Sequence, residues 1–124
     1  MTALRYTEDH EWVRVEEDGT ATIGITDHAQ DALGDIVFIE VPEIGRHFAK
    51  GEPACVVESV KAAADVKMPI AGTVVAVNEA LPDDPAKVNT GPLTDGWFMR
   101  IAPDDASDID ALMDDAAYSA LIRS

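Results

Sequence analysis

The chain has 124 residues, 47% of them apolar and 27% charged, which suits one domain around a single core and excludes a disordered polymer. Acidic side chains outnumber basic ones by 24 to 9, a formal charge of −15 that repels phosphate backbones and anionic headgroups, so neither nucleic acid nor a membrane surface is an expected partner. Cys55 is the single cysteine, which rules out an internal disulfide and an all-cysteine metal site.

No stretch approaches the roughly 18 apolar residues of a spanning helix, and "MTALRYTEDH" carries neither a signal-peptide apolar block nor an Arg- and Ser-rich transit composition. The cytoplasm is the expected compartment. Residues 10–26, "HEWVRVEEDGTATIGIT", place two strand-like runs on either side of Asp18-Gly19, a dipeptide suited to a tight hairpin. In "DHAQDALG" a short helix is expected, with Asp27 as N-cap and Gly34 as stop. "DIVFIEVP" then reads as a strand ended by Pro42.

Three further strands are expected in "GEPACVVESV", "ADVKMPIAG" and "GTVVAVNEAL", with Cys55 a small core residue. "GDIVFIEVPE" from Gly34 and "GTVVAVNEAL" from Gly72 share a weak internal echo, as in folds made of two similar halves. Residues 81–96 read as a loop leading to a strand at "WFMRIA". From Ser107, the apolar positions Ile109, Leu112, Met113, Ala116, Ala117, Ala120 and Leu121 recur at helical spacing and predict a C-terminal helix, whole or in two pieces, packed by one face on the sheet.

Lys61 falls between two of these strands, so it belongs on or beside their turn. Ala62, Ala63 and Ala64 follow it and leave the backbone open to another macromolecule. By position alone, an exposed lysine keeping a turn soluble is the simplest reading. Schiff-base chemistry needs an uncharged amine, and the neighbours in sequence are Glu58 and Asp65, which favour the charged form. Covalent modification asks instead for a protruding side chain on a rigid base, which a hairpin tip supplies.

In chain order, "HEWV", "GITDHAQDALGD", "ESVKA", "ADVKMPIAG", "VN", "GW" and the C-terminal "LM" with Tyr118 resemble the H-protein family of the glycine cleavage system. The resemblance implies a mainly β, barrel-sandwich hybrid fold over residues 1–124, with a short helix after the N-terminal hairpin and a C-terminal helix. It implies lipoic acid joined to Lys61 by an amide, with Glu58, Ser59, Val60 and Ala62 as the modification motif. It also implies a monomeric shuttle and not an enzyme. In that family a PLP-dependent glycine decarboxylase loads an aminomethyl group, a tetrahydrofolate-dependent aminomethyltransferase removes it, a dihydrolipoyl dehydrogenase reoxidises the dithiol, and lipoylating enzymes attach the arm.

A cationic amine on the arm would be held by carboxylates, for which Glu11 in "HEWV" and Asp65 beside the lysine motif are the expected contacts. Biotinyl domains present Met-Lys-Met and 2-oxoacid lipoyl domains Asp-Lys-Ala, whereas this chain has Val60-Lys61-Ala62; Lys67 in "VKM" reads as a solvent-facing strand residue. Two rival readings stay open: a lipoyl carrier serving lipoate relay or another redox pathway, and an unmodified acidic β module that binds proteins. His10, His28 and His47 lack metal-pair spacing, the Asp pairs lack a calcium-loop pattern, and no metal is expected. Trp12 and Trp97 are expected in the core.

Overall fold

The computed structural model describes residues 4–123. In chain order it contains β1 (Leu4–Tyr6), β2 (Glu11–Val15), β3 (Ala21–Ile25), α1 (Asp27–Leu33), β4 (Ile36–Glu40) and β5 (His47–Phe48). There follow β6 (Pro53–Ser59), β7 (Ala63–Lys67), β8 (Gly72–Val77), α2 (Ala86–Thr90), β9 (Met99–Pro103), α3 (Ser107–Asp110) and α4 (Asp115–Arg123). Two antiparallel sheets result, a six-stranded one in the order β1-β2-β3-β9-β8-β5 and a three-stranded one in the order β4-β6-β7. Their inner faces share one core: Val13, Ile23, Val74, Met99 and Ile101 from the large sheet meet Ile39, Cys55, Val57 and Val66 from the small one.

The expected strands lie where alternation and glycine punctuation put them, and Gly19 takes φ +87 in the first hairpin. The two echoing segments become β4 and β8, one in each sheet. β1 and the two-residue β5 are too short to leave a periodic signal. The strand expected at "WFMRIA" begins at Met99, and Trp97 is half-buried beneath the Arg100 guanidinium instead of in the core; Phe98 takes the buried place. Residues 81–96 are not all loop, because Ala86–Thr90 forms α2 around the buried Val88.

At α1 the cap is Thr26, not Asp27: the Thr26 hydroxyl accepts the Ala29 amide at 3.2 Å, and Asp27 becomes the first helical residue. Gly34 ends the helix as expected, with φ +80 and its amide bonded to the Gln30 carbonyl. The C-terminal helix is broken into α3 and α4. Between them Met113 exchanges two backbone hydrogen bonds with Tyr6, which fastens the chain end to β1.

Candidate functional site

β6 and β7 form a hairpin in which Val56 faces Asp65, Val57 faces Ala64 and Glu58 faces Ala63. Residues 60–62 make its tip, and Lys61 is exposed there. Ser59 builds this turn. Its backbone amide bonds the Ala62 carbonyl at 2.8 Å, and its hydroxyl accepts the amides of Lys61 at 3.2 Å and Ala62 at 3.1 Å. The Val60 amide bonds the Asp35 carbonyl at 3.0 Å, so the tip is also tied to the start of β4. Its lysine therefore stands on a braced base, as the modification reading requires.

Gly34 underlies the lysine stem. A Cβ placed there would come within 2.9 Å of Lys61 Cε, so the absence of a side chain leaves room for the methylene chain. Asn89, a residue to which the sequence alone assigns no role, fixes this corner. Its side chain accepts the Ile36 amide and donates to the Gly34 carbonyl and to Gln30 Oε1, each at 2.9 Å.

Down β7 from the tip, a cleft of about 210 Å³ opens between the N-terminal end of β2, α1 and the β6–β7 hairpin. Ile25, Leu33, Val57 and Val66 supply apolar wall, and Asp9, His10, Glu11 and Asp65 supply polar groups. The structure thus brings Glu11 and Asp65 to one cleft. Ala64 to Val66 follow Lys61 by three to five residues, roughly 10–16 Å along a strand.

Glu11 is only 3% exposed, yet its carboxylate is fully partnered: Oε1 accepts the Thr7 hydroxyl at 2.8 Å and Oε2 the Lys67 amide at 3.3 Å. Burial pushes its pKa up to about 7, against the lowering effect of those two hydrogen bonds. It also lines a second cavity of about 330 Å³, walled by Tyr6, Lys50, Met68, Leu112 and Met113. Cys55 lies in the core nearby. Burial, with the Glu11 charge adding to it, pushes its thiol up to about 12, so it is inert packing as expected.

The histidines hold a surprise. His10 and His28, far apart in sequence, have ring centroids 4.6 Å apart, and His10 Nδ1 is 2.8 Å from the Tyr118 hydroxyl. His10 takes φ +68, a left-handed turn just before the inward-facing Glu11. Among the described residues no cluster of three or more His, Cys, Asp or Glu could hold a metal ion, and no helix is long and apolar enough to cross a membrane.

The wholly apolar stem of Lys61 has space on a braced turn, and the cleft beside it pairs an apolar wall with carboxylates, a fit for an apolar tether with a cationic end. A lysine held out in this way, within reach of such a recess, is the arrangement that a carrier domain, which presents an attached group to other proteins, requires. The family model described as glycine cleavage H-protein matches residues 4–124, and the chain belongs to that family. Glycine cleavage system H proteins of Saccharophagus degradans and Halorhodospira halophila are similar to it. The first is 58% identical over 121 residues, 98% of this chain and 93% of that protein; the second is 59% identical over 119 residues, 96% and 92%. The crystal structure of the H protein from Mycobacterium marinum aligns with a TM-score of 0.89 at 35% identity over 98% of each chain. With that likeness the barrel-sandwich hybrid reading of the fold holds. The family function is that of a lipoyl carrier in glycine cleavage, a component that works with the other members of that system and is not itself a catalyst.

Proposed function

We propose that Lys61 is the lipoylated residue and that Glu11 and Asp65 receive the amine carried at the far end of the arm. The observation that carries this reading is the exposed Lys61 on a turn braced by the Ser59 hydroxyl, a few residues above a cleft with carboxylates in its wall. The dithiolane of a bound lipoyl group would supply an electrophilic disulfide that takes up the transferred carbon group, and a two-electron redox couple.

This chain's residues do the rest. The turn holds the attachment point away from the surface, so the tether can swing outward to other active sites or back along β7. Ile25, Leu33, Val57 and Val66 cover its apolar part and exclude water. Glu11, whose pKa burial raises to about 7, ionises when a cation approaches and then pairs with it in a poorly solvated place.

The partners in this reading are a PLP-dependent glycine decarboxylase, a tetrahydrofolate-dependent aminomethyltransferase, dihydrolipoyl dehydrogenase and the lipoylating enzymes. The chain acts as a single-domain monomer in the cytoplasm. Intact mass tests the attachment: co-expression with a lipoylating enzyme should add one lipoyl group to the wild type and none to Lys61→Arg. A lipoyl group retained in the variant assigns the site elsewhere, Lys67 first. For the cleft, Glu11→Ala should speed loss of the aminomethyl group from isolated loaded protein, and an unchanged rate removes Glu11 from the contact set.

A further inference from the structure

β4 is an edge strand, and its burial pattern breaks the alternation a strand should show. Ile36 and Ile39 are buried, while the consecutive Val37 and Phe38 are both exposed, at 58% and 44%. The cause is in the register: Ile36 faces Ser59 and Phe38 faces Glu58, so β4 advances two residues while β6 advances one. Val37 is the extra residue of a β-bulge, and the bulge turns two neighbouring apolar side chains outward. Exposed apolar groups on a sheet edge invite unwanted pairing, so their presence calls for a use.

The surroundings indicate that use. Val60, 67% exposed, precedes Lys61, and its amide bonds the carbonyl of Asp35, three residues before Phe38. Asp35 is thus bonded to Val60 and Ile36 faces Ser59, so the exposed Val37 and Phe38 lie two and three residues along β4 from the backbone that holds the lysine tip. The exposed carboxylate residues Asp35, Glu40 and Glu58 rim them, and Lys61 is the one cation in these two stretches. An apolar centre with an acidic rim is complementary to an apolar socket with a basic rim.

Distance decides the occupant. An enzyme acting on the end of the arm can work up to a full acyl chain away from the turn, so contact with the turn is not a condition of its chemistry. An enzyme that acylates Lys61 must bring its active site to within one lysine side chain of the backbone, and so must cover Val60 and its neighbours. We propose that Val37, Phe38 and Val60 form the docking surface for the acylating enzyme, a partner with an apolar socket and basic rim; this rests on Lys61 being the acylated residue. In the step it serves, Lys61 Nζ attacks the carboxyl carbon of an activated lipoyl donor, a thioester or acyl-adenylate. The amide C–N bond forms, the bond to the thiol or AMP leaving group breaks, and the amine proton passes to solvent.

The test uses the full chain, a purified lipoylating enzyme supplied with lipoate and ATP, and intact mass as readout. Wild-type protein must gain one lipoyl group and Lys61→Arg none; if not, the reading of Lys61 fails, independently of the surface. Val37→Ser and Phe38→Ser, with melting curves matching the wild type, should lower kcat/KM for lipoylation about tenfold or more, mainly through KM. Reaction of Lys61 with an activated lipoyl ester free of enzyme, followed at that residue by peptide mapping, should be unchanged, as should aminomethyl loading by glycine decarboxylase of variants lipoylated to completion with excess enzyme. Enzymatic lipoylation at the wild-type rate overturns the proposal. So does an equal loss in the decarboxylase reaction, which gives the surface to that enzyme, or a concentration-dependent self-association that Phe38→Ser abolishes, which gives it to a second copy.

Discussion

Lys67 donates its backbone amide to the buried carboxylate of Glu11 at 3.3 Å, joining the large sheet to the strand that descends from Lys61. That bond crosses between the two sheets at the cleft, so any change in the charge of Glu11 is felt where the arm is expected to rest. It also makes Glu11 the point at which stability and function pull in opposite directions.

The Glu11 carboxyl is raised by burial from 4.5 to about 7. Between those values the folded chain keeps a proton that the unfolded chain has released, so stability is full below about pH 4.5 and falls as pH rises through 7. Glu11→Gln cannot ionise. Its stability relative to wild type should therefore grow across that window, by up to about 3 kcal/mol, with the two proteins converging in acid. Urea unfolding at about pH 5 and pH 8 measures this. Parallel pH dependences would remove Glu11 as the titrating group.

Ser59→Ala withdraws the acceptor for two turn amides, those of Lys61 and Ala62. The turn is exposed and water replaces part of what is lost, so the cost to global stability is about 0.5–1 kcal/mol. The local effect is larger in kind. Amide exchange at residues 61 and 62 should quicken and enzymatic lipoylation should slow, whereas exchange in the β2–β3 core stays as in the wild type. Unaltered exchange at both amides would show that backbone pairing alone holds the tip.

Gly24 lies directly opposite Trp12 in the β2–β3 ladder, and a Cβ at Gly24 would sit 2.7 Å from the indole. The ring has little freedom to yield, since Trp12 is fully buried and its Nε1–H donates to the Pro92 carbonyl at 2.9 Å. Gly24→Ala should cost about 2–3 kcal/mol through overpacking. A lowered urea midpoint with a changed Trp fluorescence maximum is the expected result. A variant as stable as wild type would mean that the sheet relaxes around the methyl group.

The residue types that carry these effects differ in how far they could be read beforehand. Alternation and turn glycines placed the main strands and the lysine turn, because each signal is local. Glu11 is indicated by family resemblance and Asp65 by its nearness to the lysine motif, but their shared cleft comes from strand pairing that no local pattern records. The His10–His28 contact arises from the left-handed turn at His10 and the start of α1, neither visible as spacing. β4 itself is legible as a β-branched, aromatic run ended by Pro42, but the unbroken apolar stretch Ile36 to Ile39 has no alternation to read, so its bulge and outward face are not. The β context of Trp97 suggests a core position, yet the turn before β9 buries Phe98 in its place.

Tyr118 couples the chain end to the cleft. Its ring stacks on Tyr6 at 4.5 Å with a 10° tilt, and its hydroxyl lies 2.7 Å from Thr26 Oγ1 and 2.8 Å from His10 Nδ1. Since Thr26 also caps α1, one hydroxyl links α4, α1 and the loop before β2. Tyr118→Phe keeps the stack and loses both polar contacts, at a cost of about 1–2 kcal/mol. The same cluster predicts a second pH effect. Burial, helped by nearby His28 and opposed by Asp9, holds His10 below its usual 6.5. A depressed imidazole contributes stability above pH 6.5 that drains away as pH falls, the reverse of Glu11 in direction of change. NMR titration of the His10 ring should therefore give a midpoint under 6.5 in the wild type. With the Tyr118 hydroxyl gone, α4 should exchange its amides faster while α1, still capped by Thr26, does not. Equal acceleration in both helices would place the link in the Tyr6 stack and not in the hydroxyl.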